Sequence, residues 1–383
     1  MGFKKSWITY LVDGSPEWHQ FRQNHIGASE AGTVCGWSAY NPTKMEMYHI
    51  KVGSANRPFV MNEAIFHGKK LEEYVAYLWQ FYDRPGDSYI HNAEKRGANG
   101  KEIPIRKCHN VNGAIVNPKY PFLSCNLDRQ ALKGSHVLNE NAVLVEDTYD
   151  EGFPVECKKI NGFVAKKWED GVPRGYVYQT QQQMIVTDTH YSEIALFIDG
   201  IKLKVLPIHR DPILCQEILD KGSDFWNLVE IGRKWYKLHL EALSIGDQER
   251  ANECLAKVYE YEPEPDDNPA YAAYLSERHE AKDESMKGDE PLNSLALQHK
   301  RVDALIKALG EVKEGLGNKL RYACVQNQVD RIEHSSGYTR LYMRKNGKTK
   351  TLDNKVPGPD ELELKLMKEQ VLKDTKIEID GVD

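Results

Sequence analysis

The chain has no run of about 18 apolar residues, which excludes a membrane-spanning helix. Its opening, MGFKKSWITYLVDG, has no apolar stretch of the kind a secretory signal needs, so none is expected there. The pattern M-G-x-x-x-S at Gly2 allows myristoylation, but Lys4 and Lys5 equally make a plain basic start. The seven cysteines (Cys35, Cys108, Cys125, Cys157, Cys215, Cys254, Cys324) include no C-x-x-C pair. Their scatter argues against a disulfide framework and against a cysteine-ligated zinc or iron–sulfur site, and it predicts a reducing, cytoplasmic setting. A positive excess is also missing, since the net charge is −6. The deficit is uneven: residues 1–210 carry 25 Lys and Arg against 23 Asp and Glu, whereas residues 211–383 carry 26 against 34. Acidic ligands can hide a basic groove from any net count, so charge alone decides nothing about nucleic acid.

With 40% apolar and 28% charged residues, the 383-residue sequence reads as a soluble globular protein of one large domain or two ordinary ones. Ser15 and Pro16 open a helix over 16–25. GASEAGTVCGW predicts a short second helix with Ser29 as N-cap and Gly36 past its end, and NPTKMEMYHIKVG a third closed by Gly53. Apolar positions 65, 71, 75, 78 and 82 mark a longer helix over 62–82. Strand-like segments follow at 88–92, 101–106, 121–127, 141–147 and 153–159. Helices return at 161–169 and 175–187, and EIALFIDG and IKLKVLPIH form a hairpin turning at Asp199–Gly200. After Asp211 the chain is helical as far as an acidic, proline-rich break at 259–269. A helix over 294–317, a hairpin turned at Asn346–Gly347 and a polar, acidic tail complete it. This order predicts an α/β or α+β core over 1–245, acidic linker and helices over 246–293, and a helix-and-hairpin extension over 294–383.

PVECKKI (154–160) sets Glu156 and Lys158 on one face of a strand, with Val155 and Cys157 on the other. An exposed ion pair would explain this and would contribute little. A metal-dependent nuclease site would explain it too. Cleaving a phosphodiester needs a hard cation on a few oxygen ligands and a group to steer water. Asp128 in LSCNLDRQ could share such an ion with Glu156 and the Cys157 carbonyl, leaving Lys158 to face the water. Glu146 and Asp147, in a segment that reads as an inserted hairpin, are rival acids. Glu72 on an upstream helix and Gln179 on a downstream one are further candidates, although each suits a solvated helix face, and Glu73 beside Glu72 means that one of the two is surface. Arg22 near one helix end and Ser29 at the start of the next would suit a phosphate.

The succession W-x-x-x-R…I-G-A-S-E, G-x-x-x-E, an aspartate in a turn, E-x-K and Y-x-x-Q-x-Q over residues 15–200 resembles the YqaJ-type viral recombinase family. That is the lambda-exonuclease branch of the PD-(D/E)XK nucleases. The resemblance implies a restriction-endonuclease-like core, a central mixed sheet flanked by helices. It implies Mg²⁺, with Mn²⁺ as substitute, on Asp128, Glu156 and the Cys157 carbonyl. Glu72 would complete the shell or hold a second ion, Lys158 would orient or deprotonate the water, Gln179 would support the site, and Arg22 and Ser29 would bind a 5′ phosphate. The implied activity is 5′→3′ digestion of linear duplex DNA, leaving 3′ overhangs in a bacterial or phage-infected cell. The implied partners are double-stranded DNA ends, a single-strand annealing protein and further copies in a toroidal trimer. An endonuclease on the same fold and a non-catalytic DNA-binding assembly protein are the alternatives. The family usually carries S-P-D-G at the aspartate; here Arg129 stands in place of the glycine.

Overall fold

The structure, a computed structural model, describes residues 4–12, 14–37, 42–55, 62–169, 171–266, 268–278, 288–329, 340–343, 349–352 and 361–375. Two compact units divide the chain, Met1–Glu280 and Ala281–Asp383. The first opens with β1 (Ile8–Thr9), α1 (Pro16–Gln23), β2 (Ile26–Gly27), α2 (Ala31–Cys35), α3 (Lys44–Val52), α4 (Glu63–Trp79) and α5 (Ser88–Glu94). Short strands follow: β3 (Cys108–His109), β4 (Ala114–Val116), β5 (Leu123–Cys125), β6 (Arg129–Ala131), β7 (Ser135–Leu138), β8 (Leu144–Tyr149) and β9 (Pro154–Ile160). Then come α6 (Gly162–Ala165), α7 (Arg174–Thr187), β10 (Tyr191–Ile198), β11 (Lys202–His209), α8 (Pro212–Ser244), α9 (Gln248–Glu260) and α10 (Tyr271–Arg278). The second unit holds α11 (Glu290–Gln326), β12 (Arg340–Met343), β13 (Thr349–Leu352) and α12 (Glu361–Thr375). The turn expected at Asn346–Gly347 lies outside the described residues.

The fold is mixed α/β. Its central sheet runs β11-β10-β9-β6-β3, with β9 and β10 parallel and the other pairs antiparallel. A parallel pair needs a crossover, and α6 and α7 supply it. One face of β9 and β10 packs Val155, Cys157, Ala195 and Phe197 against Val75 and Trp79 of α4. A smaller sheet, β1-β4-β5-β2, joins α2, α3, α7 and α8 in a second core around Tyr48, Leu123, Ile185 and Val229. Gly232 on α8 lets that helix reach α3, because a Cβ there would stand 2.8 Å from Val52 Cγ2 and closer still to the Tyr48 hydroxyl. The chain after α8 stays in this unit: the Tyr48 hydroxyl donates to the Val258 carbonyl (2.8 Å), and Met45 N–H donates to the Tyr271 hydroxyl (3.3 Å).

Several boundaries follow the sequence. Ser15 Oγ accepts from Trp18 N–H (3.1 Å), Gly36 and Gly53 close their helices at positive φ, and Asp199–Gly200 turns the β10–β11 hairpin with both φ positive. The insert is a hairpin as read, β7 on β8. Two expectations are corrected. Residues 88–94 are helical, because Asn92 reaches the Phe81 carbonyl (3.1 Å) and Tyr89 enters the core, contacts only a helix provides together. Residues 101–106 form no strand beyond a single bridge, Arg96 to Glu102, since the N–H groups of Ile105 and Arg106 both donate to the Gln80 carbonyl at the end of α4.

Candidate active site

The site is built where β6 meets β9. Pleating brings Glu156 and Lys158 to the sheet face that α7 covers, and Lys158 Nζ pairs with Glu156 Oε1. The Glu156 side chain is 2% exposed and that of Lys158 26%, so this is no surface ion pair. Gln179 donates to Oε1 of Glu156 and Gln183 to Oε2, each at 2.6 Å. The two glutamines are one turn apart on α7 and clamp both carboxylate oxygens. Antiparallel pairing of Arg129 with Val155 puts Asp128 just before β6, beside the same strand. Its Oδ2 accepts the Cys157 N–H at 2.8 Å. Residue 129 adopts no positive φ, so arginine serves there without strain, its Nη1 donating to the Asp128 carbonyl (2.5 Å).

Crowded carboxylates perturb one another. Burial, and then the Glu156 charge, push the Asp128 carboxyl up to about 8. Burial also raises Glu72, with Glu156 adding to the shift and Lys158 opposing it. For Lys158, burial works against the charged form, but Glu156 and Asp128 outweigh it and hold the ammonium well above its ordinary range. Lys158 is therefore a cation at neutral pH in this arrangement.

Arg22, Ser29, Glu72, Asp128, Glu156, Lys158 and Gln179 all line one cleft of about 570 Å³, with Lys69 and Arg129. Residues from six separate elements and loops, up to 157 positions apart in sequence, are thus brought together. Glu72 is half-buried and Glu73 exposed, which settles which of the two faces the cleft. Glu146 and Asp147 are exposed on β8 and do not line it. Ser29 is not the helix N-cap that the sequence predicts. It lies inside a 3₁₀ turn, Ala28–Glu30, whose first free amide, Gly27 N–H, is taken by Glu30 Oε2 (2.8 Å). Arg22 Nη2 donates to Glu30 Oε1 (3.1 Å), and its guanidinium lies 5.0 Å from the Trp18 ring centroid.

Three residues escape the sequence reading. Gln183 had a signal, its i+4 spacing from Gln179. Glu30 closes the I-G-A-S-E stretch but its residue type there named no role, and Lys51 had no signal, since a pair 21 positions apart leaves no local pattern. The neighbouring Gln182 ties α7 to the smaller sheet instead, donating to the carbonyls of Ile26 (2.8 Å) and Ser124 (3.0 Å).

The donor set suits a hard cation. Asp128, Glu156 and the Cys157 carbonyl offer only oxygen, and Mg²⁺ is commonly held by one or two carboxylates with water completing the shell. The Asp128 and Glu72 carboxyls are raised first by burial, with the Glu156 charge adding to each. Among the described residues no three His, Cys, Asp or Glu side chains group closely enough to share an ion, so the fit is to two carboxylates rather than three.

A mixed sheet with two carboxylates and a lysine in a cleft at its rim defines the class, an α/β protein. Residues 17–190 match the model of the YqaJ-like viral recombinase domain, a little under half of the chain. No curated protein matches the sequence. Among solved structures, the chain is similar to an alkaline exonuclease, LHK-Exo, from Laribacter hongkongensis, at 17% identity and a TM-score of 0.41, over 60% of this chain and 100% of that one. The same exonuclease in complex with dAMP aligns at 17% identity and a TM-score of 0.43, again over 60% and 100%. A phage related exonuclease from Haemophilus somnus 129PT aligns at 14% identity and 0.31, over 55% and 96%. Among the described residues no helix is long and apolar enough to cross a membrane.

Proposed function

We propose that the protein is a metal-dependent deoxyribonuclease that degrades linear double-stranded DNA from its ends, 5′ to 3′, and leaves 3′ single-stranded overhangs for recombination by strand annealing. The observation that carries this reading is the cleft itself: Asp128, Glu156 and Lys158 stand in one concavity with Arg22 and Ser29. Asp128, Glu156 and the Cys157 carbonyl would hold Mg²⁺, or Mn²⁺ in its place. The ion would neutralise charge on the scissile phosphate and lower the pKa of a water. Gln179 and Gln183 fix the Glu156 carboxylate so that its oxygens keep their direction. Lys158, charged in this setting, steers the attacking water rather than taking its proton. Glu72, half-buried and raised, sits at the margin of the same acidic cluster. Arg22 and Ser29 receive the 5′ phosphate, a group found at a strand end and not within a continuous strand. The family resemblance adds a toroidal oligomer that encircles the duplex and a single-strand annealing protein as partner.

Digestion of 5′-phosphorylated linear duplex against covalently closed circles of the same sequence tests the reading. Loss of the linear form with the circles intact is the expected result. Comparable cutting of the circles would replace the exonuclease with an endonuclease on the same fold.

A further inference from the structure

Behind Arg22 lies a buried charge pair that the cleft chemistry leaves unused. Lys51, near the end of α3, is 1% exposed. Its Nζ donates to Glu30 Oε2, to the Arg22 carbonyl and to the His25 carbonyl, each at 2.7 Å. Those carbonyls lie at the C-terminal end of α1 and just beyond it, where backbone acceptors run out of helical partners. Arg233 of α8 reinforces the junction, donating to the Gln23 carbonyl (2.7 Å) and to the Lys51 carbonyl (2.9 Å). Glu30 therefore stands between two cations, Lys51 on its buried side and Arg22 on its cleft side. Burial pushes the Glu30 carboxyl up, but Lys51 and Arg22 together bring it below the ordinary range, so it is ionised at neutral pH.

An ionised glutamate beside an arginine competes with any incoming phosphate for that arginine. Paired only with Arg22, Glu30 would engage the guanidinium through both oxygens and withdraw it, since the bidentate carboxylate–guanidinium pair is the strong form of this contact. In the structure Oε2 is committed to Lys51 and to Gly27 N–H, and only Oε1 meets Arg22, through one nitrogen. No other hydrogen bond to the guanidinium is made among the described residues. We infer that Lys51 is a positioning residue for the phosphate pocket: as the buried counter-ion of Glu30, it occupies the carboxylate that would otherwise take Arg22, and so leaves the arginine presented to a terminal phosphate. This rests on the reading of Arg22 as a phosphate ligand given above.

The test compares kcat/KM on blunt duplexes that end in a 5′ phosphate or a 5′ hydroxyl, with Mg²⁺, for the full chain and its variants. Arg22→Ala should bring the phosphate preference close to one; if it does not, the phosphate-pocket reading itself fails. Given that result, Lys51→Met should cut the preference about tenfold, the scale of losing one charge-assisted hydrogen bond, with the loss in KM. Adding Glu30→Gln to Lys51→Met should restore the preference, because the competing charge is gone. A Lys51→Met protein that keeps its preference, or a double variant that stays as poor as the single one, would overturn the inference. Should Lys51→Met fail to fold, Glu30→Gln alone decides. It keeps the side-chain shape and should hold or raise the preference, whereas a fall would mean that Glu30 orients Arg22 for the phosphate instead of competing for it.

Discussion

At the scale of single residues, the account turns on a lysine and two acids. Lys158 is charged, paired with Glu156 and a quarter exposed to the cleft. Lys158→Ala is expected to abolish cleavage while binding of linear duplex persists, measured by digestion and by band shift. Cleavage at the parent's rate would remove Lys158 from the mechanism. Asp128 gives a pH signature. Its carboxyl titrates near 8 in the folded protein, against about 4 for an aspartate in an unfolded chain. Between those values the folded state binds the extra proton, so with rising pH this group's contribution moves against folding. Asp128→Asn has no proton to lose. With chelator present, its unfolding free energy relative to the parent should rise between pH 5 and pH 8, and an unchanged difference in urea titrations would contradict the assignment. Asp128, Glu156 and Lys158 were legible as cleft neighbours because their residue types suggest one site, whereas Gln179 read alone as a polar helix face and gained a role only through the resemblance. Ser29 was legible as a cleft residue but not as a cap, because it stands inside the 3₁₀ turn, and Gly27 holds the position ahead of it. Lys51 was illegible: a lysine in an apolar helix reads as a solvated end until the fold closes over it.

At the scale of elements, helices with caps and strands with strong alternation were readable, and those defined by a tertiary partner were not. PVECKKI and the β10–β11 hairpin fall where apolar alternation and Asp-Gly place them. Residues 88–94 carry strand-like composition yet form α5, and 101–106 lose their ladder to the Gln80 carbonyl. Arg106 explains part of this displacement. It is fully buried, donating to both oxygens of Glu193 (2.8 and 3.0 Å) and lying 4.1 Å from the Trp79 ring centroid, while Trp79 and Tyr191 donate to the same carboxylate (2.6 and 2.7 Å). This network fastens α4, which carries Glu72, to β10 of the central sheet. Glu193→Gln should cost about 3–5 kcal/mol by leaving the Arg106 charge uncompensated in the core. Urea unfolding measures it, and a loss under about 1 kcal/mol would mean that the network carries little of the contact between α4 and the sheet.

At the scale of the whole molecule, one unit gathers residues 22 to 179 into a single cleft, and it continues past α8 because α9 and α10 pack back on α3. The acidic balance of residues 211–383 gave no hint of the cleft, whose charged lining is four cations against three carboxylates. Net charge failed as a guide because the cleft sets side chains of both signs in one concavity, which a sum over the chain cancels. A cation with a looser oxygen shell should separate the two roles: Ca²⁺ is expected to support DNA binding but not turnover. The most direct measurement of the central claim follows the products from a linear duplex labelled at its 5′ ends, with Mg²⁺ and with chelator. The account predicts label released as mononucleotide from the first turnover, only with the metal, and not by the Lys158→Ala protein. Label retained on long internal fragments, or released equally in chelator, would contradict it.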